Sequence, residues 1–166
     1  MRLKILFVVF LAAVSLSSCT TFKAVKSNES INGTFRAYYN KNEFDGFFSI
    51  SKNSLRLDVV NTFGFSIYGV YAQDDSVFLK NYQTGKVYKR LNVNGNDLSQ
   101  YKPMILYTMR NFTRLCKNNN PEIVVLSCEN IDGKKIPSSI IFEDRQRRRL
   151  RINLKNIKIK SLRSVK

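Results

Sequence analysis

Histidine is absent from this chain. That absence removes Ser-His-Asp and Cys-His nucleophilic systems and the usual zinc constellations together. Cysteine is scarce, with three in 166 residues, and acids are few, 12 Asp and Glu against 28 Lys and Arg. The few acids form no paired, spaced motif. Asp45, Asp58, Asp74 and Asp75 read as solvated turn acids, so no catalytic residue, metal set or cofactor is expected and the chain does not read as an enzyme. Long apolar runs are missing too. The most apolar stretch, Ile5 to Val14, holds ten residues, where a bilayer span needs ~20.

That short run has a different meaning from its flanks. Arg2 and Lys4 precede it as a basic n-region, and Leu16-Ser17-Ser18-Cys19 follows it with small residues before a single cysteine. Charge, short apolar core and small-residue exit together make a secretory signal. The ending resembles the bacterial lipobox, which implies cleavage before Cys19, a diacylglycerol on its thiol and an acylated new N-terminus. Three acyl chains anchor firmly, since each buried methylene contributes ~0.8 kcal/mol and two chains already suffice. Residues 1–18 are therefore read as a removed signal, 19–30 as a lipidated tether, and 31–166 as one domain. Thr20 follows the cysteine, and by resemblance to enterobacterial sorting rules the lack of aspartate there points to the outer membrane, facing the periplasm.

The excess of Lys and Arg gives a net charge of +16, which implies an anionic partner such as phospholipid headgroups or an acidic protein. The Arg145-Gln146-Arg147-Arg148-Arg149 run invites a nucleic-acid reading, but export argues against it. With Cys19 committed to lipid, Cys116 and Cys128 remain. Outside the cytoplasm they are either a disulfide closing a short loop or two buried thiols.

From Ile31 onward the pattern is that of strands. Segments 33–40, 43–51, 54–60, 65–72, 76–82 and 86–92 are rich in Phe, Tyr, Val, Ile and Thr, and turn residues such as Asn40-Lys41-Asn42, Asp74-Asp75 and Thr84-Gly85 separate them. Connections this short force antiparallel neighbours. Leu55, Leu57 and Val59 face one way, Arg56 and Asp58 the other; Phe65, Ile67, Gly69 and Tyr71 share a face. Around 97–116 the period changes to a helical one, with Asp97 as the expected N-cap and Pro103 splitting or kinking the helix. Strands resume over 122–129, 136–143 and 148–159. In the last, Leu150, Ile152 and Leu154 face in, while Ile157 and Ile159 fall out of phase, which places a bulge at Lys155-Asn156. Nine strands around a helical insertion predict a mainly β fold with a helical lid, a curled antiparallel sheet forming a half-open barrel with a greasy interior.

Two stretches carry a family resemblance. Leu55-Arg56-Leu57-Asp58-Val59-Val60-Asn61-Thr62-Phe63-Gly64, running into Ser66-Ile67-Tyr68-Gly69-Val70, is similar to the strand, tight turn and strand of the LolA/LolB-like lipoprotein carriers and receptors. Ile136-Pro137-Ser138-Ser139-Ile140, through Arg151-Ile152-Asn153-Leu154-Lys155-Asn156-Ile157, is similar to the same family's terminal hairpin with its proline-initiated strand. The likeness is closer to the outer-membrane receptor branch. It implies a monomer that accepts acylated lipoproteins from a periplasmic carrier and releases them into membrane phospholipid. It also implies an apolar loop that enters the bilayer, here Phe63 with Gly64 and Phe65. An acyl-chain cavity would then be lined by Phe35, Phe48, Leu57, Val59, Ile67 and Leu79, with Ile105 and Phe112 from the lid. The competing function is a non-enzymatic scaffolding lipoprotein of the envelope, which predicts a filled core.

Overall fold

The computed structural model describes residues 29–39, 41–88, 92–93, 96–97, 101–117, 120–144 and 147–161. The signal, Cys19 and the tether up to residue 28 lie outside the described residues. Strands β1 (Glu29–Tyr39), β2 (Asn42–Ser51), β3 (Ser54–Val60), β4 (Ser66–Gln73), β5 (Ser76–Asn81) and β6 (Val87–Tyr88) run as an antiparallel meander. A two-residue ribbon follows, β7 (Asn92–Val93) with β8 (Asn96–Asp97). After it come helix α1 (Lys102–Asn111), a 3-10 segment (Phe112–Lys117) and strands β9 (Ile123–Ile131), β10 (Lys134–Glu143) and β11 (Arg149–Ser161). The last strand returns to pair with the first, so the sheet order is β6-β5-β4-β3-β2-β1-β11-β10-β9. The ends of that order, β6 and β9, do not pair with each other, and the barrel stays half open.

Local chemistry explains the turns. Asp74 adopts φ 52° in the two-residue link between Gln73 and Ser76, and Asp132-Gly133 has φ 50° and 75°. Positive φ at the first central residue, as at Asp74, or at both, as at Asp132-Gly133, is the twist-matched hairpin geometry that aspartate and glycine tolerate. The bulge lies where the phase break placed it. Between Asn32 and Thr34 the register of β1 against β11 jumps from Lys158 to Lys155, and Asn156 sits at φ 51°. The extra residue returns Ile157 and Ile159 to the core side, against which both are packed.

Several expectations are corrected. β1 begins at Glu29, so the last two residues of the expected tether are strand; Ser30 there is 5% exposed, and buried Lys134 pairs with Glu29. Asp97 is not the helix cap. It pairs with Asn92 in β8, while Tyr101 holds the N-cap position without a side-chain cap hydrogen bond. Pro103 neither splits nor kinks the helix but opens it, because a first-turn residue has no intrahelical N–H partner to lose. Pro137 does not start its strand either; it lies inside β10 at a register shift, where a missing donor is tolerated.

A further correction concerns β4. Register pairs Leu57 with Val70 and Val70 with Leu79, so Val70 shares the inner face and Gly69 and Tyr71 face outward, while Ile67 is left unpaired with β3 at the register shift between Val59 and Val60. The alternation there is ambiguous because Tyr and Val occupy both phases. Outside, Asp58 decides it. This acid is no solvated turn residue: it is 7% exposed, with Arg56 Nε 2.5 Å away and the Tyr82 hydroxyl donating to it at 2.7 Å. The Tyr71 hydroxyl donates to the same carboxylate at 3.4 Å, and its ring stacks on Phe78 and receives the Arg56 guanidinium on its face. Burying a carboxylate without such partners costs far more than burying an apolar side chain, so the cluster sets the outward phase of β4.

Candidate acyl-chain cavity and membrane loop

Side chains of seven strands, β1 to β5, β10 and β11, face the space beneath α1 but do not fill it. A cavity of about 390 Å³ remains, within the range of small-ligand sites. Phe48, Ile50, Leu55, Leu57, Val70 and Leu79 line it from β2 to β5, and Ile140, Phe142, Leu150, Ile152 and Leu154 from β10 and β11. Met104, Ile105 and Thr108 cover it from the helix, with Phe112 behind them. Phe44 also lines it and is 38% exposed, which marks where the cavity meets solvent. Among these side chains only Thr108 and the hydroxyls of Tyr39 and Tyr101 are hydrogen-bonding groups. Thr108 Oγ1 is buried without a partner. A wall of this composition gives water almost nothing to bond to and matches hydrocarbon.

Both ends of the lid are held. At its start the Tyr101 hydroxyl donates to Asp144 at 2.8 Å, and Arg148 Nε donates to the same carboxylate at 2.7 Å. Burial first, and then the bond to Asp144, push the Tyr101 hydroxyl above its ordinary value. At its other end Phe112 and Leu115 are 4% and 1% exposed, and a disulfide joins Cys116 to Cys128 on β9. The helix meets the β4–β5 turn through Arg110, which pairs with Asp75.

Of the residues expected to line the cavity, Phe48, Leu57, Leu79, Ile105 and Phe112 do so. Phe35, Val59 and Ile67 do not. Phe35 pairs with Gly46 across the sheet, and its ring is so close that a Cβ on Gly46 would fall 2.6 Å from it. Val59 occupies the same row, opposite Gly46, and packs against the core. Ile67 sits unpaired with β3 at the register shift between Val59 and Val60 and does not line the cavity. Sequence reasoning missed Val70, through the wrong phase for β4, and missed Met104, Thr108, Ile140 and Phe142. The inward phase of Leu150, Ile152 and Leu154 was legible, but nothing local tied those residues to the same space as Leu57.

The loop between β3 and β4 has a distinct construction. Asn61 Oδ1 accepts from the backbone N–H of Phe63 at 3.0 Å and of Phe65 at 2.9 Å. Asn61 N–H donates to Phe65 O, Gly64 N–H donates to Asn61 O, and Gly64 takes φ 83°. One asparagine thus satisfies the turn internally, and the aromatic side chains are left outside. Phe63 is 84% and Phe65 71% exposed. Exposing two phenylalanines on a pinned turn forgoes roughly 1.5–3 kcal/mol of burial for each, which marks the loop as a contact surface.

The acids considered as catalytic candidates are dispersed. Asp45 pairs with Arg36 at 2.8 Å, Asp58 with Arg56, and Asp75 with Arg110, while Asp74 forms the turn beside it. Among the described residues no three His, Cys, Asp or Glu side chains are grouped to hold a metal ion.

No protein-family model matches the sequence, and no curated protein matches it. Among solved structures the chain is similar to a LolA superfamily protein from Nitrosomonas europaea, at 10% identity over 91% of this chain and 94% of that one, with a TM-score of 0.47. It is also similar to a DUF1329 family protein from Desulfovibrio piger, at 10% identity over 93% and 92% of the two chains, with a TM-score of 0.35.

Proposed function

We propose that this protein is an outer-membrane-anchored lipoprotein that takes acyl chains into its cavity and helps insert other lipoproteins into the membrane. The observation that carries the reading is the unfilled apolar space under α1, walled by Leu57, Val70, Leu79, Ile105 and Phe112. A scaffolding lipoprotein has no need to leave such a space open, because each void in a core forfeits packing energy. The resemblance of the β3–loop–β4 and β10–β11 segments to lipoprotein carriers and receptors supports the same assignment. So does the lipobox-like Leu16–Cys19, which supplies the anchor.

Transfer on this reading requires no nucleophile. An acyl chain that leaves a carrier's cavity, enters this one and then joins a bilayer exchanges one apolar environment for another. The large ~0.8 kcal/mol per methylene of hydrophobic free energy therefore nearly cancels at every step. Only small differences in affinity set the direction. The exposed Phe63 and Phe65 would seat the loop at the bilayer interface and bring the chain's destination close to the cavity.

All described elements lie within residues 29–161, so the chain from Thr20 onward retains every one of them and can be tested without its own lipid. Given a diacylated lipopeptide bound to a soluble carrier, it should strip the lipopeptide and release it to vesicles. Failure to bind any acylated ligand would overturn the assignment and favour the scaffold. A Phe63→Glu protein should load normally but deliver poorly; unimpaired delivery would remove the loop from the mechanism.

A further inference from the structure

The outer face of β11 carries no role in acyl binding, yet its chemistry is one-sided. Leu150, Ile152 and Leu154 line the cavity, so Arg149, Arg151 and Lys155 point away from it. The bulge at Asn156 then shifts the phase, and Lys158 and Lys160, opposite Asn32 and Ser30, point the same way. Without that bulge the two lysines would enter the core and Ile157 and Ile159 would leave it. All five cations are exposed. They form a row roughly 35 Å long at the rise of an extended strand.

Arg149 pairs with Glu143. Among the described residues Arg151, Lys155, Lys158 and Lys160 have no acidic partner within ion-pair distance. The acids of the neighbouring strands are already engaged, Glu29 by Lys134 and Glu143 by Arg149, and on β2 Glu43 and Asp45 are engaged by Arg36. Apolar groups flank the row on the same face. Tyr38, opposite Arg151, is 38% exposed, and Phe47, opposite Thr34, is 52% exposed. On the far side Val124 and Leu126 of β9 are 44% and 49% exposed.

We infer that this outer face is a second membrane-contact surface, whose row of cations lies along anionic phospholipid headgroups. Unpaired cations bind the headgroup charge, and the flanking aromatic and aliphatic side chains enter the interface, the combination that peripheral membrane surfaces use. The position of the anchor agrees. Cys19 lies ten residues before Glu29, and Glu29 pairs with Ser161 at the Lys160 end of the row. Ten residues reach at most roughly 35 Å, so the acylation proposed for Cys19 would hold this face within reach of the bilayer. The surface is independent of the cavity and of the Phe63 loop, which lies on the far side of β1 and β2.

The test uses the chain from Thr20 onward and vesicles of phosphatidylcholine, with or without phosphatidylglycerol. Binding should require the anionic lipid and weaken as salt rises. At about a factor of five per lysine, a Lys155→Gln/Lys158→Gln/Lys160→Gln protein should bind on the order of 100-fold more weakly. Its uptake of an acylated probe should be unchanged, which certifies the fold. Phe63→Glu should retain most of the anionic-vesicle binding. Equal binding to both vesicle types, or a triple variant that binds as the parent does, would overturn the proposal. So would loss of binding on Phe63→Glu alone, which assigns the contact to the loop. Unchanged vesicle binding with loss of an acidic protein partner would overturn it in favour of protein docking.

Discussion

Removing the bond between Cys116 and Cys128 perturbs the lid at the point where it joins the sheet. The two residues are 12 apart in sequence, and cross-linking a loop of that size removes unfolded-state entropy equivalent to about 3 kcal/mol. The folded state should lose little on reduction, because Phe112 and Leu115 keep the 3-10 segment buried at 4% and 1% exposure. A Cys116→Ser/Cys128→Ser protein, or the parent under reductant, should therefore still fold. Its urea midpoint should fall by roughly 1.5 M at a slope of about 2 kcal/mol/M. Its melting temperature should drop on the order of 10 °C. Because the bond acts mainly on the unfolded chain, affinity for an acylated probe should change less than twofold once the protein is folded. Equal midpoints with and without the bond would refute the entropic reasoning. A collapse of acyl binding at unchanged midpoint would show instead that the bond shapes the lid.

Thr108→Val should stabilise the protein by about 1–2 kcal/mol in chemical denaturation, since it removes a buried hydroxyl without a partner and keeps the side chain's shape. A loss of stability would mean that the hydroxyl is bonded in solution. Alkaline pH should destabilise the fold through Tyr82 and Tyr101. Burial raises both hydroxyls above their ordinary 10.0, helped for Tyr82 by the Tyr71 hydroxyl and for Tyr101 by Asp144. Below about pH 10 both states hold these protons and the effect is fully present; above it the unfolded chain releases them first, so stability falls as pH rises. Unfolding followed from pH 8 to 11 should show that decline, and Tyr82→Phe with Tyr101→Phe should flatten it. An equal slope in the double variant would assign the loss to lysines.

The legibility of this chain followed the range of the interactions involved. Turn chemistry is local, and Asp74-Asp75, Thr84-Gly85 and Asp132-Gly133 all fall between strands. The bulge was visible because a phase break at Lys155-Asn156 involves only neighbours. The helix was visible in period but not in its start, since Pro103 reads alike as a breaker and as a first-turn residue until the preceding ribbon of β7 and β8 is seen. The phase of β4 was hidden because both of its faces carry apolar side chains. Its choice rests on Asp58, a residue of another strand that needs Tyr82 and Arg56 around it.

By itself, then, the amino-acid order determined the strands, their turns, the alternation of most faces and the helical lid, because each depends on a few consecutive residues. Only the tertiary structure decided that β11 returns to β1, which brings Leu154 and Phe35 opposite each other across 119 residues. That pairing places Leu150, Ile152 and Leu154 around the same space as Leu57 and Leu79, and so creates the cavity. The outward row of cations on the same strand, by contrast, follows from its own alternation and from the bulge at Asn156. The cavity is encoded in no local pattern, since it arises from where a distant strand finds its hydrogen-bond partners.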